Sequence, residues 1–123
     1  MRSTREAIWR KYDGRCAYCG TVITIASMQI DHHLPLQRGV PDPHGVRARA
    51  RDTNDNQLPS CARCNRWKAT MALEEFRGEI AQQVTRLRRD SAGFRLAEDY
   101  GLVASIDTPI VFYFERTLPT NDY

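Results

Sequence analysis

The chain has no run of about 18 apolar residues, so no membrane-spanning helix is expected. Its first residues, Met1-Arg2-Ser3-Thr4-Arg5-Glu6, lack the apolar stretch of a secretory signal. Both absences predict a soluble, cytoplasmic protein with no membrane partner. No internal repeat and no low-complexity tract occurs. Lysine is scarce, two residues against sixteen arginines, so the cationic side chains are almost all forked guanidiniums suited to phosphate. Cysteine is limited to four residues. In a reducing compartment these argue against structural disulfides and for metal thiolates or redox chemistry.

What is present sets further bounds. A length of 123 residues fits one domain with a modest core, to which an inorganic cross-link would add useful stability. Charge is uneven. Residues 1–70 carry twelve Arg/Lys against six Asp/Glu, a balance of +6, and residues 71–123 carry six against nine, a balance of −3. That asymmetry suits an N-terminal part that meets a polyanion, although an ordinary solvated surface would also accommodate it.

Along the chain, Arg2 to Lys11 predicts a short helix, and Tyr12-Asp13-Gly14 a turn. Cys16-Ala17-Tyr18-Cys19-Gly20 follows, the glycine permitting a tight metal knuckle. Val22, Ile23 and Ile25 suit a strand, and Met28-Gln29-Ile30 leads into Asp31-His32-His33 before Pro35 interrupts, so a hairpin is predicted here. Gln37 to Asp55 reads as a long loop marked by Gly39, Pro41, Pro43 and Gly45, with His44 exposed in it. Arg47, Arg49 and Arg51 alternate within it, one side of an extended arm that would contact phosphates or simply be solvated. A second knuckle, Cys61-Ala62-Arg63-Cys64, opens a helix. After Thr70, Leu73, Phe76, Ile80, Val84 and Leu87 trace an amphipathic helix as far as Arg89, weakened at Gly78. Phe94 to Tyr100 reads as a helix ended by Gly101, Ile110 to Phe114 as a strand, and Thr120 to Tyr123 as a frayed tail.

Two C-x-x-C pairs, Cys16/Cys19 and Cys61/Cys64, can supply four thiolates to one tetrahedral Zn²⁺. The 41 residues between them exceed ordinary finger spacing, so the ion would clamp the base of a larger inserted unit. A thioredoxin-like pair would need a βαβ pattern that the sequence lacks. Four cysteines leave no open coordination position, so this zinc is structural and the chemistry lies elsewhere. Asp31 offers a hard oxygen ligand for Mg²⁺ or Mn²⁺, and His32 a base near neutral pH. A base that deprotonates water and a cation that neutralises the transition state are what phosphodiester hydrolysis requires. Regular strand alternation would put Asp31 and His32 on opposite sides, so they share a site only if the strand ends or twists there.

The ordered set Cys-x-x-Cys, Ile30-Asp31-His32-His33-Leu34-Pro35-Leu36, Asn56 five residues before Cys61, and Cys61-x-x-Cys64-Asn65-x-x-Lys68 resembles the HNH endonucleases of the ββα-metal class. The resemblance covers Arg15 to Lys68, under half the chain. It implies a ββα-metal core in which Asp31 and Asn65 bind the catalytic divalent ion (Mg²⁺ or Mn²⁺, or Ni²⁺) and His32 is the general base. Asn56 would orient that base, and the products would be a 5′-phosphate and a 3′-hydroxyl. Asn65 stands where the family name has histidine, a familiar variant, and its neutral amide oxygen favours a hard ion. Lys68, one helical turn beyond Asn65, would reach a phosphate, and Arg66 joins Arg47, Arg49 and Arg51 as expected DNA contacts. Family members of this kind occur in phages, mobile elements and bacterial defence.

The sequence thus predicts an α+β protein. A zinc-clamped nuclease core spans residues 1–70, and a helical and β extension over 71–123 packs on or beside it. DNA is the expected partner, as a monomer or a homodimer. Trp67 is expected to cover the zinc or fill core rather than stack on a nucleotide, and His33 serves either a phosphate or the packing. The rival reading is a non-catalytic zinc module that binds nucleic acid through its basic half. A redox or chaperone-like zinc protein, resting on the thiols alone, is the third.

Overall fold

A computed structural model describes residues 4–32 and 56–117 of the chain. The expected loop with its arginines Arg47, Arg49 and Arg51, together with His33, Pro35, His44 and the C-terminal tail, lies outside the described residues. The protein is a small α+β molecule that divides into two units, residues 1–73 with 111–123 and residues 74–110. Among the described residues no helix is long and apolar enough to cross a membrane.

The first unit begins with helix α1 (Arg5–Arg10). Thr4 caps it, its hydroxyl accepting from the Ala7 amide, while Glu6 and Arg10 occupy the ends their charges favour. Ile8 is the buried residue of this helix and packs with Ile23 and Met28, flanked by Trp9, Ile30 and Cys61. The Trp9 indole donates to the Ile23 carbonyl at 2.9 Å, and the Arg5 guanidinium ties down the Ile25, Ala26 and Met28 carbonyls. Gly14 turns the chain at φ +72°, and a Cβ there would lie 2.8 Å from the Trp9 ring. Backbone conformation and close approach both demand glycine.

Strand β1 (Gln29–His32) pairs antiparallel with β2 (Gln57–Ser60), in the register Gln29 with Ser60, Ile30 with Pro59, Asp31 with Leu58 and His32 with Gln57. Helix α2 (Ala62–Lys68) follows β2 directly. The predicted local hairpin is therefore replaced by a pairing across residues 33–56. Val22 forms only an isolated bridge with Arg15, and the chain turns at residues 25–27. Sequence alternation does not mark β2, because all four of its residues are buried and one is proline. Pro59 has no N–H to give, yet its carbonyl accepts from the Ala17 amide at 2.8 Å, joining the first knuckle to the sheet.

The predicted strand at Ile110–Phe114 is a second difference: Tyr113–Glu115 is a 3₁₀ turn, and the segment returns to the first unit. Its amides cap carbonyls of the first knuckle, Tyr113 N–H to Tyr18 at 3.0 Å and Phe114 N–H to Ala17 at 2.8 Å. An apolar run meant for a sheet lines up here as rings: Phe112 and Phe114 stack 6.0 Å apart and meet Tyr18 edge-on at 5.5 and 6.2 Å.

The second unit holds α3 (Leu73–Ala81), α4 (Gln83–Asp90) and α5 (Ala92–Asp99), with α4 and α5 in contact. The single amphipathic helix expected to Arg89 is broken at Gln82, and Gly78 lies inside an intact turn. Ser91 both ends α4 and caps α5 by accepting from the Phe94 amide, a Ser-x-x-Phe start that a helix-cap reading recovers. Gly101 closes α5 at φ +73°, as its position after Tyr100 predicts.

Candidate metal centre and the adjoining sheet

The first knuckle is a turn closed by the Gly20 amide on the Cys16 carbonyl at 2.9 Å. Gly20 sits at φ +81°, and a Cβ on it would come 3.0 Å from the Tyr113 ring. The second knuckle is built by α2 itself. Cys61 occupies the N-cap, where its sulfur accepts from the Cys64 amide at 3.4 Å in the place usually taken by a serine or aspartate oxygen. The two knuckles bring the Sγ atoms of Cys16, Cys19, Cys61 and Cys64 within 4.8 Å of one another, with Cys19 and Cys61 3.9 Å apart.

A tetrahedral Zn²⁺ with bonds of ~2.3 Å separates its sulfurs by about 3.8 Å, so the four-cysteine cluster could hold a zinc ion without rearrangement of the knuckles. The protons on these sulfurs are unequally held. A hydrogen bond from Cys64, helped by backbone bonds at Cys19, Cys61 and Tyr18, pulls Cys16 down to about 4 against the effect of burial. The Cys64 thiol is pushed up by giving that bond and by burial, and burial pushes Cys19 up. The Arg63 guanidinium, bonded to the Cys19 sulfur, is held above its ordinary value. There it would offset part of the net negative charge that four thiolates would leave on a bound zinc ion.

Beside this cluster lies a buried ion pair. Lys68 Nζ is 3.0 Å from Asp31 Oδ2, with the two side chains 0% and 8% exposed. The Tyr18 hydroxyl donates to the same carboxylate oxygen. Burial, and then the negative Asp31, push the Tyr18 phenol well above its ordinary value, so it stays a donor. Lys68 also donates to the His32 carbonyl at 3.0 Å. One residue from the first knuckle, one from β1 and one from α2 therefore converge on a single charge.

The other lysine does the same from the other side. Lys11, at the C-terminus of α1 and buried, donates from Nζ to the Gln57 carbonyl at 3.2 Å. Because Gln57 is the register partner of His32, the only two lysines of the chain hold the two carbonyls of one strand pair. The scarcity of lysine against arginine was the available sequence signal for this pair, but nothing in the residue order marks Lys11.

Of the site residues expected from sequence, Asp31 and Lys68 meet directly, whereas the Asn65 side-chain amide donates from Nδ2 to Gln29 Oε1 at 2.6 Å. Gln29 and Asp31 share a strand face by alternation, Asp31 buried and Gln29 exposed at its edge. His32, half-buried and the last residue of β1, belongs by alternation to the opposite face with Ile30. Asn56 is buried and immediately precedes Gln57. Lys68, expected to reach a phosphate, is fully enclosed with its ammonium engaged on Asp31 and His32. Trp67, expected to cover the zinc or fill core, is 50% exposed and so does not fill core: residues 64 and 68 form the inward face of α2 and residues 63, 66 and 67 the outward one.

The described residues do not by themselves form the expected divalent-ion site. The one carboxylate of the face is already neutralised by Lys68 and hydrogen-bonded by Tyr18. The four cysteines are the one cluster of three or more Cys, His, Asp or Glu ligands among the described residues. No family model, no curated protein and no solved structure matches this chain.

Proposed function

We propose that this protein is a zinc-stapled endonuclease of the HNH type that hydrolyses DNA phosphodiester bonds, with His32 as the base that activates water. The observation that carries the reading is the double clamp on the His32–Gln57 pair. Lys68 from α2 holds the His32 carbonyl at the end of β1, and Lys11 at the C-terminus of α1 holds the carbonyl of Gln57, the partner of His32 at the start of β2; a general base needs a backbone fixed in this way. The order β1, β2, α2, with cysteines from both knuckles beside it, supports the same reading. Asn56, buried next to Gln57, suits a residue that orients the base through neighbouring backbone. The resemblance would also give Asp31 and Asn65 a Mg²⁺ or Mn²⁺ ion. The Asp31 carboxylate is already engaged by Lys68 and Tyr18, an arrangement that does not fit a divalent ion at Asp31.

A second reading, a zinc-containing nucleic-acid-binding module without catalysis, is favoured by that same occupied carboxylate. One experiment separates the two. Zinc-loaded protein is incubated with supercoiled plasmid and with single-stranded DNA, under chelation of loosely held ions and then with Mg²⁺, Mn²⁺ or Ni²⁺ added. His32→Ala at matched zinc content runs alongside. The nuclease reading expects nicking or linearisation by the wild type and none by the variant. Full cleavage by His32→Ala removes the proposed base, and DNA binding without cleavage under any ion establishes the module.

A further inference from the structure

The outward face of α2 is untouched by the proposed chemistry. Arg63, Arg66 and Trp67, at steps of three and four residues, share it, and all three are exposed. Trp67 shows half of its surface to solvent, although an indole of this size is ordinarily among the most buried side chains. Arg63 is committed to the Cys19 sulfur, but Arg66 has no ion pair among the described residues. From Asn56 to Leu73 the chain carries no aspartate or glutamate, so nothing acidic in this stretch competes for the guanidinium. The chain's other tryptophan, Trp9, is by contrast hydrogen-bonded to Ile23 and packed on the core.

From this juxtaposition we infer that the outward face of α2 binds an unpaired DNA strand, a base stacking on the Trp67 indole and the flanking phosphate meeting Arg66. A base in a duplex already has both faces stacked and cannot use such a platform, whereas every unpaired base offers a π-face whatever its sequence. Arg66, one helical residue from the indole, supplies the cation that a stacked nucleotide's phosphate requires. The substrate at this surface is therefore single-stranded, frayed or locally opened DNA. The inference rests on the nucleic-acid part of the proposed function and holds whether or not the strand is then cut.

The test is a fluorescence and anisotropy titration of the full-length zinc-loaded protein, carrying His32→Ala to prevent turnover, with labelled oligo(dT) and with a blunt duplex of equal length. Oligo(dT) is expected to quench tryptophan emission and to bind more tightly than the duplex. Trp67→Ala should weaken oligo(dT) binding by about five- to a hundredfold, the range that one base–aromatic stack supports, and abolish the quench, leaving the Trp9 emission unmoved. Trp67→Phe should recover most of the affinity, and Arg66→Ala should lower the slope of log affinity against log salt by about 0.7. Zinc content and circular dichroism equal to the parent show that the variants are folded. Oligo(dT) binding unchanged in Trp67→Ala, or equal binding of oligo(dT) and duplex, overturns the stacking surface while the nucleic-acid reading stands. Binding to neither probe overturns both.

Discussion

The two units solve the same problem with opposite means. In the first, residues 1–73 with 111–123, charge is taken inside: Lys68 and Asp31 are buried together, Lys11 is buried on a carbonyl, and four sulfurs lie within reach of one ion. In the second, residues 74–110, charge stays outside. Arg77 pairs with Glu74, Arg86 with Glu79, Arg88 with Glu98 and Arg89 with Asp90, while α4 and α5 contain no buried residue. Leu96, Tyr100, Leu102 and Ile106 of the second unit are all exposed. The contrast teaches where the stability of this chain must be sought. A buried pair is costly to break and a metal couples directly to folding, whereas surface pairs contribute little and are screened by salt.

The sharpest way to break that contrast is at the cysteines. Structural zinc sites contribute on the order of 10 kcal/mol or more of apparent binding energy in small domains. Cys64→Ser is therefore expected to lose the zinc and unfold the first unit, with Trp9 emission shifting to that of solvent-exposed indole. Retention of native emission and of one zinc per chain in the variant would remove the metal from the stability of this unit.

Next in size is the ion pair. Lys68→Met leaves Asp31 buried without its ammonium and should cost about 3–5 kcal/mol in chemical denaturation. Adding Asp31→Asn should recover part of that loss, since the uncompensated charge is then gone. A loss no larger than that of an exposed lysine would show that the pair is not enclosed in solution.

The smallest effect is expected in the second unit, and its sign follows from the carboxylates. The guanidinium of Arg88 holds Glu98 below its ordinary value, and that of Arg86 does the same for Glu79. Groups so depressed stabilise the fold above the carboxylate range of the unfolded chain, and that contribution is lost as pH falls through the lower folded values. Arg88→Ala should therefore lower the melting temperature slightly at neutral pH, with the difference from the parent disappearing as pH falls through the carboxylate range, so that the acid limb is flatter. Moderate salt should mimic it. A melting shift comparable to that of Lys68→Met would erase the distinction between the two units.

Legibility in the sequence followed the same divide between local and distant causes. The turn at Tyr12–Gly14, the Gly20 knuckle, the helix opening at Cys61 and the stop at Gly101 depend on the conformational needs of a few adjacent residues, and all stand as expected. The strand β2 did not announce itself, because a fully buried strand containing Pro59 has neither alternation nor strand-forming composition. The aromatic run at 110–114 has strong strand propensity but no partner strand among the described residues, and the amides of Tyr113 and Phe114 go to knuckle carbonyls and the rings of Phe112 and Phe114 to Tyr18.

At the candidate site, residue types alone could nominate Asp31, His32, Asn56, Asn65 and Lys68, but not which atoms each engages. Lys68 reads as a surface cation until the helix phase relative to β1 is known, and Trp67 as a cover for the zinc or as core until the same phase shows it exposed. What the sequence by itself determined is the set of four thiolates, the local turns that aim them and the excess of arginine over lysine, since each depends only on composition and short spacing. Tertiary structure alone decided that β1 would find β2 across residues 33–56. It also decided that both lysines would end on one strand pair and that Asp31 would be held by Tyr18 and Lys68, because these contacts join residues far apart in the chain, whose meeting no local propensity encodes.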